Sequence, residues 1–266
     1  MEYVNIDISE YVIISISIIC IIIILLVCFC YKRYRQEQIY VTLTTIPERL
    51  VHPWFYKNLK QLMNLDGSYK VVLNVPYEFK RNNEPYIIPV NVQELEKDNL
   101  IINRVNDDYG PLTKLYGSLL NNNIPDDACL LICDDDIKYK DEFITQIYQE
   151  YIKDKNKIYT YCDRFITGFQ GYMMKKSIIK PILQFNCPDS CFRLDDNFIQ
   201  KSALTLNIPI QSVTYKTDNT WTCTFDKHVH DHETPDWDEL KIDERGEGRG
   251  PKINKCFNDF DNINIR

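Results

Sequence analysis

Between residues 39 and 215 the chain alternates short apolar runs with longer amphipathic ones. Strand-length runs cover Ile39 to Thr45, Tyr69 to Val75, Asn99 to Val105, Ala128 to Cys133, Lys157 to Cys162, Gly171 to Lys175 and Ile208 to Tyr215. Pro47 and Pro76 close the first two, since proline cannot donate to a ladder. Helical spacing appears between the runs. Gly110-Pro111 opens a helix to about Leu120, with proline at the favoured first position. In Asp141 to Ile152 the residues Phe143, Ile144, Ile147, Tyr148, Tyr151 and Ile152 share one face. In Asp195 to Leu206 the inward set is Phe198, Ile199, Ala203 and Leu206. Strands alternating with helices predict an α/β domain with a mostly parallel sheet flanked by helices. Runs apolar throughout, rather than alternating, suit strands covered on both faces.

The ends of the chain differ from this middle. Residues 11–31 carry no charge and are dominated by Ile. At about 1.5 Å per residue such a stretch covers a hydrocarbon core of roughly 30 Å. It predicts one N-terminal transmembrane helix after a flank of residues 1–10. The acidic flank and the lack of a small-residue cleavage site argue against a cleaved signal. Lys32, Arg33 and Arg35 follow the span, in a linker of residues 32–38, and no Lys or Arg precedes it. The positive-inside rule then places the domain, residues 39–240, in the cytosol. Cysteines without a small-scaffold pattern read as reduced thiols, and no Asn-x-Ser/Thr sequon occurs. Residues 241–266 are charged, with few apolar anchors, and read as a mobile tail. A net charge of -7 argues against a nucleic-acid partner.

The candidate chemistry gathers at acidic positions. Asp134-Asp135-Asp136 follows the apolar run Ala128 to Cys133 directly. Three adjacent anions repel, and a hard divalent cation, Mn²⁺ or Mg²⁺, relieves that repulsion. Alternation along a strand end lets Asp134 and Asp136 converge while Asp135 points away. A solvated acidic turn is the competing explanation. Asp195-Asp196 opens a helix, where carboxylates suit the dipole, so capping accounts for them. They are also candidate general bases for an acceptor hydroxyl. Lys114 stands in the first turn of a helix, near a phosphate-favouring end, or is a surface lysine. Gly168 and Gly171 flank a tight turn that allows backbone to approach a ligand, or a plain loop. His228, His230 and His232 alternate; His230 is the candidate metal ligand, against a solvated tract.

Four segments occur together in order: Val41-Thr42-Leu43-Thr44-Thr45-Ile46-Pro47-Glu48-Arg49, Asp108-Tyr109-Gly110-Pro111-Leu112-Thr113-Lys114, Asp134-Asp135-Asp136 and Cys191-Phe192-Arg193-Leu194-Asp195-Asp196. In this order and spacing, from Tyr40 to Tyr215, the chain resembles GT-A-type glycosyltransferases. It is similar to the family 2-like enzymes of bacteria and large DNA viruses. The resemblance implies a GT-A-like, Rossmann-like sheet and a nucleotide-sugar donor. It implies that Thr44 and Thr45 lie under the nucleotide, with Lys114 and Asp134 also on the donor side. Asp134 and Asp136 would match the metal-holding D-x-D element, and Asp196 or Asp195 the acceptor-activating carboxylate. Gly168 and Gly171 would then border the acceptor, a glycan, lipid or protein. A late His would add a metal ligand, and a single displacement would invert the anomeric centre. Two other classes compete. One is another metal-dependent phosphoryl or nucleotidyl transferase, disfavoured because strand one ends without an Asp. The other is a non-catalytic, anchored structural or surface protein.

Overall fold

The computed structural model describes residues 15–26, 37–163, 165–214, 216–217, 220–221, 225–228 and 249–264. The chain divides into two units, Met1–Glu37 and Gln38–Arg266. In the first unit residues 15–26 are helical, and every side chain there is exposed. The remainder of the expected span, residues 11–31, lies outside the described residues. No helix among the described residues is long and apolar enough to cross a membrane.

The second unit holds seven strands in one sheet. They are β1 (Ile39–Thr44), β2 (Tyr69–Pro76), β3 (Leu100–Val105), β4 (Cys129–Ile132), β6 (Ile158–Thr160), β7 (Tyr172–Lys175) and β8 (Ile210–Ser212). A short strand outside the sheet, β5 (Ile137–Tyr139), pairs antiparallel with β9 (Phe225–His228). The order across the sheet is β8-β6-β7-β4-β1-β2-β3. All neighbours run parallel except β7, which is antiparallel to both β4 and β6. The expected mostly parallel α/β sheet is therefore present, with each predicted strand in place; most are trimmed at their ends, whereas β2 runs on through Pro76, which pairs with Val105.

Both faces of the sheet are covered, which explains the unbroken apolar runs. Val41, Leu43, Val71, Leu73 and Leu131 belong to one core. There they meet α1 (Pro53–Met63) through Phe55, Leu59 and Leu62, and α3 (Phe143–Tyr151) through Phe143, Ile144 and Ile147. Tyr40, Val72, Leu130 and Ile132 belong to the opposite core. This second core contains Leu115 and Leu119 of α2 (Thr113–Leu120) and Phe198 and Ile199 of α4 (Asp195–Thr205). Helix α1 was not expected from the sequence. His52 accepts a hydrogen bond from the Trp54 N–H ahead of it, and Pro53 takes a first-turn position that needs no donor.

Two expectations are corrected at the C-terminus. Residues 249–264 form a helix, α5, instead of a mobile tail. Cys256 and Phe260 are fully buried, and Phe260 packs its ring against Phe185 and Phe198. Apolar anchors that are few but four apart give one buried stripe, sufficient for docking. Cys191 and Cys256 form a disulfide, so these two cysteines are not reduced thiols. Closing a 65-residue separation stabilises the fold by about 4 kcal/mol on the chain-entropy account.

Candidate active site

Strands β1 and β4 run parallel, side by side, with Thr42 opposite Ile132. The chain leaves β1 to build β2 and β3 on one side, then returns to β4 on the other. Their C-terminal ends therefore form the topological switch point, where open α/β sheets bind ligands. Thr44 and Thr45 finish β1, and Asp134-Asp135-Asp136 follows β4.

The three acids take separate partners. Asp135 turns towards the β1 side. It accepts from the Thr45 hydroxyl at 2.5 Å and from Arg49 Nη1 at 2.8 Å. Asn58 of α1 donates to the Asp135 and Ile137 carbonyls at 2.8 and 3.0 Å, which holds the turn. Asp136 Oδ2 lies 3.5 Å from the same Arg49 nitrogen. Asp134 faces the opposite way and accepts from Lys114 Nζ at 2.8 Å. Asp134 and Asp135 thus diverge as alternation requires. Asp134 and Asp136 are paired with different cations, Lys114 and Arg49, and Asp136 lies near enough to Asp134 to raise its proton affinity.

Lys114 is buried, not a surface lysine. Its Nζ lies 2.8 Å from Asp195 Oδ2 and 3.6 Å from Asp196 Oδ1 as well. These two contacts are of charge, without hydrogen-bond direction. The backbone beneath Lys114 is fixed by a polar network. The Thr42 hydroxyl and Asn74 Nδ2 both donate to the Lys114 carbonyl, and Ser118 Oγ lies 2.7 Å from the Thr42 hydroxyl. Asn74 also reaches under α2 so closely that a Cβ at Gly117 would collide with its side chain. Asp195 and Asp196 lie in the first turn of α4, but their carboxylates do not cap it. Leu194 is the N-cap, and no side chain caps the helix. Asp196 Oδ2 instead accepts from the Gly168 N–H at 2.8 Å.

Gly168 closes the site from the β7 side. Tyr139 Oη accepts from the Asp134 N–H and donates to the Gly168 carbonyl, both at 3.0 Å. A Cβ on Gly168 would collide with the Asp134 carboxylate and the Lys114 ammonium. Close backbone approach is thus the reason for this glycine. Gly171 serves packing: its φ is +79°, and a Cβ there would strike the Phe143 ring. Tyr172 Oη is buried and makes no hydrogen bond among the described residues.

Among the described residues, five carboxylates (Asp134, Asp135, Asp136, Asp195 and Asp196) and two cations (Arg49 and Lys114) meet at this site. The imbalance shows in their proton affinities. Burial, opposed by Lys114 and reinforced by Asp195 and Asp134, raises Asp196 to about 7. Burial against the pull of Lys114, with Asp136 and Asp195 adding repulsion, raises Asp134 to about 6. Asp135 is raised by burial, against the opposing Arg49 charge. Burial lowers the proton affinity of Lys114, but the carboxylates overcome it and keep the ammonium charged.

This donor set fits a hard divalent ion that completes its shell with substrate oxygens. Among the described residues it holds more carboxylates than cations, and the Asp134 side chain is 29% exposed. Among the described residues no three His, Cys, Asp or Glu side chains form a closed metal group. His230 and His232 lie outside the described residues. His228 ends β9, with its backbone opposite Ile137, the residue after Asp136. Arg49, Asn58, Tyr139 and Tyr172 were not singled out from sequence. Arg49 carried the one available signal, as the charged end of the first strand's loop.

No protein-family model matches the chain, and no curated protein matches it. Among solved structures it resembles 4-diphosphocytidyl-2C-methyl-D-erythritol synthase at 9% identity and a TM-score of 0.45, over 67% of this chain and 90% of that one. It also resembles residues 1–349 of S. aureus TarS at 9% identity and a TM-score of 0.42, over 62% of this chain and 56% of that one. Likeness of this degree does not decide an activity.

Proposed function

We propose that this chain is a GT-A-like glycosyltransferase that moves a sugar from a nucleotide-sugar donor to an acceptor hydroxyl. The observation that carries the reading is the buried carboxylate cluster at the β1–β4 switch point. There Asp134 of one element and Asp195 and Asp196 of another meet around Lys114. A site with surplus carboxylate suits a donor diphosphate brought in with Mn²⁺ or Mg²⁺. Asp134 and Asp136 would hold that ion, with His230 as a further ligand. Bound there, it would supply Lewis-acid stabilisation of charge on the departing diphosphate.

Asp196 is the proposed base. A carboxylate raised to about 7 is matched to proton transfer near neutral pH. The acceptor oxygen attacks the anomeric carbon, the bond to the diphosphate oxygen breaks, and Asp196 takes the hydroxyl proton. One displacement inverts the centre. Lys114 and the Gly168 N–H keep Asp196 in place, Asp195 shares the same ammonium, and the Gly168 backbone borders the acceptor. The Thr44 and Thr45 hydroxyls already serve the Asn74 carbonyl and Asp135. The β1 loop would therefore offer backbone to the nucleotide.

Residues 11–31 are proposed as a single-pass anchor. The flanking charges favour a cytosolic domain, and the Cys191–Cys256 bond is the opposing observation, because disulfides mark oxidising compartments. Protease protection of sealed vesicles decides between the two sides. The activity is tested by thermal shift of the full chain with UDP-, GDP-, CMP- and dTDP-sugars, with and without Mn²⁺. Stabilisation by one nucleotide class only with metal is the expected result, and no shift with any of them overturns the reading.

A further inference from the structure

We propose that α5 is a positioning element for Asp195 and Asp196, and that the Cys191–Cys256 bond makes this positioning depend on oxidation. The role as base rests on the function proposed above; the mechanical coupling does not.

The carboxylates sit on a segment that α5 grips along its length. At the near end, Asn264 Oδ1 accepts from the Asn186 N–H at 2.8 Å, and Asn264 Nδ2 donates to the Asn186 carbonyl at 3.0 Å. Ser190 Oγ donates to Asp259 Oδ2 at 2.6 Å. Cys191, four residues before Asp195, is bonded to Cys256. Past the carboxylates, Phe198 packs on Phe260 with ring centres 5.7 Å apart, and Lys201 pairs with Asp261 at 2.9 Å. The grip thus falls on both sides of Asp195-Asp196.

A helix attached this way restrains the α4 entry without touching the reacting groups. The restraint matters because Asp196 is held from the front by one directed bond, from the Gly168 N–H, and by charge from Lys114. In forming the staple, the two thiols lose two protons and two electrons. A disulfide oxidant takes them by thiol–disulfide exchange and leaves as its dithiol. Both cysteines are fully buried, so a dithiol reaches the bond only when α5 lifts.

The test is hydrogen–deuterium exchange on the full chain, comparing oxidised wild type, the double variant Cys191→Ala/Cys256→Ala, and Asp261→Asn with the disulfide intact. Exchange across residues 186–201 should rise roughly tenfold in the double variant and less in Asp261→Asn, with β1 and β2 unchanged. If the double variant does not fold, Asp261→Asn alone decides. Unchanged exchange over 186–201, or an even rise over the whole domain, overturns the proposal. Transfer kinetics give the second readout: kcat should fall in both variants with the donor KM unchanged. A fall confined to KM overturns the positioning role. Absence of transfer in wild type refutes the proposed function while leaving the exchange result to stand.

Discussion

Lys114 Nζ lies 2.8 Å from Asp134 Oδ1, joining the first turn of α2 to the end of β4. The same nitrogen reaches Asp195, so one ammonium holds two elements more than sixty residues apart in sequence. Removing it leaves buried carboxylates without a counter-charge. Lys114→Met should destabilise the domain by about 3–5 kcal/mol at neutral pH, read by urea unfolding. A change under about 1 kcal/mol would mean that the cluster is solvated and Lys114 idle.

The raised carboxylates fix the sign of a pH effect. Asp196 holds its proton to about 7 in the folded chain, against 3.8 as its ordinary value. Between those values the folded state binds more protons than the unfolded one, so stability falls as pH rises. This contribution is fully present below the ordinary value and lost by about pH 7. Asp196→Asn should flatten the decline of Tm with pH over that window. The same ionisation makes kcat/KM rise with pH and level off above about 7. A Tm profile identical to wild type would place Asp196 in water.

Gly168 and Gly171 separate site from scaffold. Gly168→Ala pushes a methyl into the Asp134–Lys114 pair and should abolish transfer by disturbing the carboxylates directly. Gly171→Ala meets the Phe143 ring and a positive φ. It should lower Tm, with a loss above about 1 kcal/mol. Equal effects of the two on stability and activity would contradict this division.

Asp135 and Asp136 should also part. Asp135→Asn weakens the Thr45 and Arg49 contacts and should cost about 1–3 kcal/mol in stability with metal-dependent donor binding retained. Asp136→Asn, which removes the charge facing Arg49 at 3.5 Å, should instead lose metal-dependent donor binding. The check is paired unfolding and donor titration.

The seven-stranded sheet was legible because its strands are apolar runs with proline or acidic stops, a purely local signal. That Asp134, Asp195, Asp196 and Lys114 share one site was implied by the resemblance, through the order and spacing of its four segments. What was not legible depends on contacts distant in sequence. Helix α5 looks polar, since among its described side chains Cys256 and Phe260 alone are fully buried, and its partners lie on α4 and the turn before it. The fate of Asp136 depended on Arg49, whose arrival at the triplet requires the β1–β4 pairing. Lys114 looked like a phosphate ligand because the acids that occupy it come later in the chain.

On the proposed function, one buried cluster divides donor binding, at Asp134 and Asp136, from proton transfer, at Asp196. Equilibrium binding of the stabilising nucleotide sugar, with Mn²⁺ present, to wild type, Asp136→Asn and Asp196→Asn tests it most directly. Asp196→Asn should bind with wild-type affinity, and Asp136→Asn should lose affinity by about tenfold or more. Equal binding by all three proteins would contradict it.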